Sequence, residues 1–121
     1  MTRLTSCFEK LKTENRKALV VFITAGDPDL DATKNILDVI DDSGADIIEL
    51  GVPFSDPLAD GPIIQASALR ALKSGTTLRK ILTLVKDIRK NRDLPIVLMK
   101  VLTLFLYMVR NSLSKMLCRL G

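Results

Sequence analysis

The amino-acid sequence predicts an α/β fold in which a parallel sheet is built from strands that alternate with helices. The first observation is three short apolar runs, at residues 18–24, 45–50 and 95–99, with the length and composition of buried strands. The second is that apolar residues recur at helical spacing between these runs. The third is that the second run carries an acid near its end and leads into a proline-rich loop. Strands and helices that alternate in this way form right-handed β-α-β units.

In the first half of the chain, the residue pattern predicts a helix, a strand and a second helix. Residues 4–15 have the spacing of a short amphipathic helix, which we expect to cap one end of the fold. The run at 18–24 predicts a fully buried strand. Either Asp29 or Asp31 is expected to cap the next helix, which Gly44 ends. The apolar stripe predicted for this helix consists of Ile36, Leu37, Val39 and Ile40.

In the rest of the chain, the residue pattern predicts a second strand, two helices and a third strand. The run at 45–50 is a buried strand, and a helix follows at 62–73, where Pro62 suits the first helical turn. Thr76 or Thr77 is expected to cap the next helix. The apolar stripe predicted for that helix consists of Leu78, Ile81, Leu82, Leu84, Val85 and Ile88.

The loop at residues 51–62 favours a (β/α)8 barrel over a doubly wound sheet. It contains three prolines, two glycines and two aspartates, and it follows a strand that carries Glu49 near its carboxyl end. Barrel enzymes gather their chemistry at the carboxyl ends of the strands. The sequence has neither the Gly-x-Gly-x-x-Gly motif of a dinucleotide-binding fold nor a P-loop.

Three segments of the sequence resemble the α subunit of tryptophan synthase. They are residues 22–28, residues 44–51 and the loop through Pro62, where the family signature ELGxPFSDPxADGP is matched in full. The resemblance covers about residues 1–99. It implies the N-terminal portion of a (β/α)8 TIM barrel, with about three strands and their flanking helices present and the barrel incomplete.

The family resemblance implies a carbon–carbon lyase of tryptophan biosynthesis. Such enzymes cleave indole-3-glycerol phosphate to indole and glyceraldehyde 3-phosphate by a retro-aldol reaction. They pass the indole to a β subunit within an α2β2 complex. The α subunit needs no cofactor, since pyridoxal phosphate belongs to the partner β subunit.

The resemblance also assigns site residues. Glu49 and Asp60 fall on the two catalytic carboxylates of the family, with Glu49 as the proton shuttle and Asp60 as the anion that faces the indole nitrogen. Phe22 and Ile64 fall on positions that line the indole pocket. The loop that faces the β subunit is represented by Pro53, Asp56 and Pro57.

Each assignment has an alternative based on the residues alone. Glu49 could pair with a neighbouring cation, and Asp60 could cap the helix that starts near Pro62. Phe22 and Ile64 have the pattern of core residues, and Asp56 suits a turn. For the whole chain, the alternatives are a non-catalytic fragment that only docks on the β subunit, and another phosphate-sugar TIM-barrel enzyme.

The sequence departs from the family pattern after Met99. We therefore divide the chain into a partial TIM-barrel domain at 1–99 and an aberrant apolar and basic tail at 100–121. One interpretation of the tail is an amphipathic helix on a membrane surface. We favour a single-base deletion within codons 100–102, because the shifted frame permits Asn-Pro-Ile-Phe-Val-Tyr-Gly, a family-like segment, over residues 102–109.

The distribution of charge indicates whether the chain binds nucleic acid, and its length indicates whether it can be an active enzyme. The whole net charge of +4 equals the basic residues of the tail, which contains no acid: Lys100, Arg110, Lys115 and Arg119. We therefore expect no nucleic-acid partner, and the tail's apolar run falls short of the roughly 20 residues of a membrane span. A barrel of this class needs eight strands, so we expect this truncated chain to be inactive.

The amino-acid composition limits which residues could act as acids or bases, and it indicates the redox state of the protein's compartment. The 121 residues are enough for one modest domain, and they include neither His nor Trp, so acid–base work falls to carboxylates, Lys, Tyr or Cys. No metal site is predicted. Cys7 and Cys118 lie far apart, without a Cys-x-x-Cys motif, and no signal-peptide pattern opens the sequence. These features predict a reducing, cytoplasmic setting.

Overall fold

The computed structural model describes residues 1–100, so the predictions for the tail lie outside the described residues except at Lys100. The predicted order of strands and helices is confirmed over this range. The elements are α1 (Arg3–Thr13), β1 (Val20–Thr24), α2 (Leu30–Asp42), β2 (Ile47–Gly51), α3 (Pro62–Lys73), α4 (Leu78–Ile88) and β3 (Ile96–Met99).

The three strands form one parallel sheet in the order β1-β2-β3. The register aligns Phe22 with Glu49 and Glu49 with Val97, so these three side chains lie on one face of the sheet. Because the strands are parallel, their carboxyl ends meet at one edge. The loops that follow β1 and β2 therefore leave from the same edge, which is the expected arrangement for a barrel site.

The other face of the sheet is covered by α2 and α4. Ile48 and Leu50 of β2 are 1% and 0% exposed at its centre. The buried core cluster consists of Ala25, Leu37, Ile48, Leu50, Ile81, Leu84, Val85 and Ile88. The stripe predicted for α4 is thereby confirmed in its main members, and we call this side of the sheet the covered face.

The stripe predicted for α2 is partly wrong. Leu37 is buried and Ile40 packs against the core, but Val39 is 64% exposed and Ile36 is 39% exposed. The buried line on α2 instead includes Thr33, whose hydroxyl accepts a hydrogen bond from the Gly26 N–H at 2.8 Å. Residues 33, 37 and 40 are three or four positions apart and share one side of the helix, whereas 36 and 39 turn away from it.

The prediction that the first strand is fully buried is also wrong. Val20 is 45% exposed and Phe22 is 40% exposed, while Ile23 packs against the core. β1 pairs only with β2 among the described strands, and its alternate residues lie on the face opposite the helices. We call that side, which carries Val20, Phe22, Glu49, Val97 and Met99, the open face.

Short polar contacts fix the ends of the elements. Asp29 caps α2, since its side chain accepts a hydrogen bond from the Ala32 N–H, and Thr77 caps α4 in the same way. At the amino edge of the sheet the Asp46 carboxylate binds Arg16 through two hydrogen bonds, at 2.6 and 2.9 Å. It also accepts the Leu19 N–H at 2.8 Å. This pairing joins the segment before β1 to the segment before β2.

Candidate functional site

Glu49 lies on the open face, in the middle of β2. Its register neighbours are Phe22 on β1 and Val97 on β3, and its side chain is partly buried. No side chain of residues 1–100 forms an ion pair or a hydrogen bond with its carboxylate. The alternative in which Glu49 pairs with a cation therefore finds no support in the described part of the chain.

Asp60 lies at the surface of the loop between β2 and α3. Its backbone N–H donates to the Pro57 carbonyl at 3.2 Å, and its carbonyl accepts from the Gln65 side-chain amide at 2.7 Å. The cap residue of α3 is Gly61, and no side chain caps that helix. The alternative in which Asp60 caps α3 is therefore wrong, and the backbone contacts hold Asp60 while leaving its carboxylate available.

A cavity of about 200 Å3 opens at the carboxyl edge of the sheet. It brings together Phe22, Asp60 and Ile64, which the sequence places on three separate elements. The complete lining is Phe22, Thr24, Gly51, Val52, Pro53, Phe54, Asp60, Ile64, Ala68, Met99 and Lys100. Glu49 is not part of this lining. It lies two residues before Gly51 on the same face of β2, a step of about 7 Å along a strand.

Gly51 allows the aromatic wall of the cavity to form. A Cβ atom at this position would lie 2.8 Å from Cζ of Phe22, closer than such atoms approach. The absence of a side chain on Gly51 thus lets the Phe22 ring extend over the end of β2. Sequence reasoning placed Gly51 in the signature without this role, because the contact depends on the register between β1 and β2.

Two polar contacts hold α3 against the end of β1. The Ser67 hydroxyl donates to the Thr24 hydroxyl at 2.5 Å. Arg70 binds both carboxylate oxygens of Asp27 at 2.7 Å, and these hydrogen bonds lower the pKa of Asp27. Because Ile64 is on α3 and Asp60 just precedes that helix, these contacts also set the position of one wall of the cavity. Sequence reasoning did not identify them.

The three residues assigned to the partner-facing loop lie in different environments. Pro53 is buried against the cavity, Pro57 is partly buried and Asp56 is exposed. A shallow groove of about 400 Å3 runs between this loop and α3. Its lining is mainly apolar and consists of Phe54, Ser55, Pro57, Pro62, Gln65, Ala66, Leu69 and Leu72. Leu58, next to the groove in sequence, is 89% exposed.

Residues 1–100 contain neither a cluster of metal ligands nor a membrane-spanning helix. No three or more acidic or cysteine side chains there are grouped so that they could hold a metal ion. None of the four helices in this range is both long enough and apolar enough to cross a membrane.

The fold is that of part of a parallel α/β barrel, and the loops after β1 and β2 leave from the carboxyl edge of its sheet. A family model described as "Tryptophan synthase alpha chain" matches residues 8–119. The chain belongs to this family, which confirms the resemblance in the sequence. That membership also sets aside the alternative of another phosphate-sugar barrel enzyme.

Curated relatives and solved structures agree with this family. The tryptophan synthase alpha chains of Geobacter sulfurreducens and Geotalea uraniireducens are 60% and 59% identical over 99 residues, 82% of this chain. These residues make up 38% and 37% of the two relatives, so the chain spans under two fifths of their length. The alpha subunit of Legionella pneumophila has a TM-score of 0.87 and 37% identity, covering 96% of this chain and 44% of that one. Tryptophan synthase from M. tuberculosis has a TM-score of 0.87 and 32% sequence identity. The match covers 100% of this chain and 49% of that one. The described sheet and helices are thus part of a TIM barrel.

Proposed function

We propose that residues 1–99 carry the acid–base pair of an indole-3-glycerol phosphate lyase, with Glu49 and Asp60 as its catalytic residues. The retro-aldol cleavage requires protonation of the indole C3 and removal of a proton from the glycerol hydroxyl. Positive charge also develops on the ring N–H and must be stabilised. Glu49 carries protons to and from the substrate, and Asp60 faces the indole nitrogen as a fixed anion.

The observation that carries this proposal is the position of two carboxylates, neither with a side-chain partner among residues 1–100, near one end of the sheet. Asp46 and Asp29, in contrast, serve the fold through an ion pair and a helix cap. Both candidate acids instead lie near one cavity whose walls include the Phe22 ring and Ile64. These two apolar side chains suit the flat hydrocarbon surface of an indole.

The chain by itself is expected to release no indole. Barrels of this class usually bind the substrate phosphate with the loops after strands 7 and 8, and the structure describes three strands. Binding energy from the phosphate contributes to the rate of the chemical step, so its loss lowers turnover as well as affinity.

A chimeric protein tests the catalytic assignment. Residues 1–99 would replace the matching segment of the Geobacter sulfurreducens alpha chain, which is 60% identical over 99 residues. The chimera is expected to release indole from indole-3-glycerol phosphate. Glu49→Gln and Asp60→Asn in the chimera should each lower kcat by about 10²- to 10⁴-fold, the range for a positioned acid or base.

Glu9→Gln is the matched control, because Glu9 is exposed on α1 far from the cavity. This variant should retain the activity of the chimera. A chimera that folds and cleaves the substrate equally well with Glu49→Gln would contradict the proposal. Indole release from the 121-residue chain that Glu49→Gln abolishes would contradict only the expected inactivity of the chain by itself.

A second function, docking on a tryptophan synthase β subunit in an α2β2 arrangement, is supported by the surface of the loop after β2. Asp56 is exposed, Leu58 is 89% exposed, and the apolar groove beside α3 adjoins them. The chain is expected to co-purify with the Geobacter sulfurreducens β subunit, and Asp56→Ala should abolish this. Asp31→Ala, an exposed acid on α2, is the control. Equal loss with both variants would contradict a role for the loop.

We also propose a cytoplasmic location and a shifted reading frame after Met99. The location follows from the biosynthetic family and from the two cysteines, which lack a disulfide-type pattern. The frame is tested by the DNA sequence from codon 98 past the stop codon. An intact frame with no family-like continuation in another frame would contradict the deletion.

A further inference from the structure

The outer edge of β1 is the side that faces away from β2, and no strand within residues 1–100 pairs with it. Just after β1, the Ala25 N–H donates to the Gly51 carbonyl at 2.9 Å, so alternate residues counted back from Ala25 bond to β2. The N–H and C=O groups of the residues between them, at Val20 and Phe22, therefore point outward. This edge can pair with another strand.

The two outer edges of the sheet differ in how well they are protected from association. β3 has four residues, begins after Pro95 and is followed by Lys100. A short strand, a proline and a lysine each discourage pairing at an edge. The segment 18–24, which contains β1, has seven residues without a charge, a proline or a glycine. An apolar segment of this kind, rich in β-branched residues, pairs readily with a copy of itself.

Apolar side chains of α2 flank the outer edge of β1. Ile36 is 39% exposed and lines a cavity of about 280 Å3 together with Phe22 and Ile23 of β1. Val39 lies one helical turn further along the same side of α2 and is 64% exposed. A second strand on β1 would bring its own flanking residues towards these two side chains.

We propose that a second copy of this chain binds the outer edge of β1, so that two three-stranded sheets join into one. A two-fold axis at Phe22 runs the two β1 strands antiparallel, and Phe22 exchanges both backbone hydrogen bonds with the partner's Phe22. Val20 then lies opposite the partner's Thr24, so no charge meets a like charge along the strand. Because the axis is perpendicular to the sheet, α2 lies beside the partner's α2, and Ile36 and Val39 become buried between them.

The oligomeric state of the 121-residue chain tests this contact. Sedimentation velocity over about 1 to 100 µM, the range of moderate to weak association, should show monomer and dimer in equilibrium. Val20→Lys places a charge on the pairing edge and should raise the dimer Kd at least about tenfold. Leu69→Lys is the matched control and should leave Kd unchanged. Leu69 is 54% exposed, comparable to Val20 at 45%, and lies on the side of α3 opposite Ser67, which contacts β1.

Amide hydrogen exchange of the unsubstituted chain identifies the edge that pairs, and it decides the question even if Val20→Lys fails to fold. Exchange at Val20 and Phe22 should slow as the protein concentration rises. Exchange at Ile96 and Leu98, which point outward from β3 by the same alternation, should not change. A chain that stays monomeric over this range would overturn the proposal. A dimer whose Kd is unchanged in Val20→Lys, or protection on β3 in place of β1, would also overturn it.

Discussion

The two faces of the sheet are built from similar apolar residues and differ in what they contact. On the covered face, Leu50 has no exposed surface and packs among residues of α2 and α4. On the open face, Val20, Phe22 and Met99 are 45%, 40% and 47% exposed. The comparison shows that the core cluster lies on the covered face, although Ile47 on the open face is also buried. The open face carries apolar residues that a closed barrel would bury in its interior.

The same comparison separates stability from the proposed chemistry. Glu49 and Phe22 are on the open face, and the cavity opens at the carboxyl edge of that face. Ile48 and Leu50 of β2, which belong to the core cluster, point the other way. Substitutions on the two faces are therefore expected to have different consequences, and this expectation can be tested from the largest effect to the smallest.

The largest effect is expected for Leu50→Ala. Truncating a fully buried leucine removes its transfer free energy and leaves a cavity, at a cost of about 3–5 kcal/mol. Urea unfolding followed by circular dichroism should show a large fall in midpoint or no cooperative transition. Val20→Ala on the open face is the matched control, and we expect it to cost under about 1 kcal/mol because Val20 is 45% exposed. Equal effects would mean that the open face is also packed.

The next effect is expected for Gly26→Ala, at the end of β1. Gly26 has a φ of +87°, and a Cβ atom there would lie 1.9 Å from Oγ1 of the buried Thr76. Backbone strain and steric overlap together should cost about 2–4 kcal/mol in thermal or urea unfolding.

Gly51→Ala provides the comparison on the open face. The three atoms nearest to its Cβ atom would belong to the Phe22 ring and the Ile23 carbonyl, and the partly exposed ring has room to move. We expect a loss under about 1.5 kcal/mol and a changed NMR environment of the Phe22 ring. A loss as large as that of Gly26→Ala would show that the ring is fixed by packing.

An intermediate effect is expected at the amino edge, which belongs to neither face. Asp46→Asn removes charged hydrogen bonds to Arg16 and to the Leu19 N–H, and we expect a loss of about 1.5–3 kcal/mol. Asp93→Asn is the control, because Asp93 is 87% exposed in its ion pair with Arg3 and should cost under about 1 kcal/mol.

The pH dependence of the same pair gives an independent measurement. The Arg16 hydrogen bonds, and then the Leu19 N–H, hold the pKa of Asp46 below its ordinary value. The pair therefore contributes its full stability above the ordinary carboxyl pKa of about 3.9 and loses it as the pH falls through the lower pKa of the folded state. Between about pH 5 and pH 2, the wild-type chain should lose more stability than Asp46→Asn.

Local features of the chain were predictable because they depend on neighbouring residues. The bounds of α3 at Pro62 and Lys73 are as predicted, since Pro62 starts the helix and Gly75 follows its end. The exposure of β1 was not predictable in this way. An apolar run such as 18–24 shows what a strand would bury in a complete barrel, whereas its actual exposure depends on which neighbours pair with it.

Contacts of the candidate site depended on register and were only partly predictable. The signature located Glu49 and Asp60 within the chain. It did not show that the Phe22 ring approaches Gly51, that Ser67 binds Thr24, or that Lys100 is part of the cavity lining. These contacts join residues far apart in sequence, so they follow from the pairing of strands and the placement of α3.

The smallest effect is expected for Glu49→Gln in the 121-residue chain. The carboxylate is partly buried on the open face and has no ion pair or hydrogen bond within residues 1–100, so its neutralisation removes no described interaction. Urea unfolding should change by less than about 0.5 kcal/mol, well below the change for Asp46→Asn, although both variants replace one carboxylate with an amide. A loss above about 1 kcal/mol would reveal a stabilising partner for Glu49 and would weaken its assignment as a free proton carrier. A small change here, together with lost turnover of Glu49→Gln in the chimera, would show that the open face serves catalysis and the covered face serves folding.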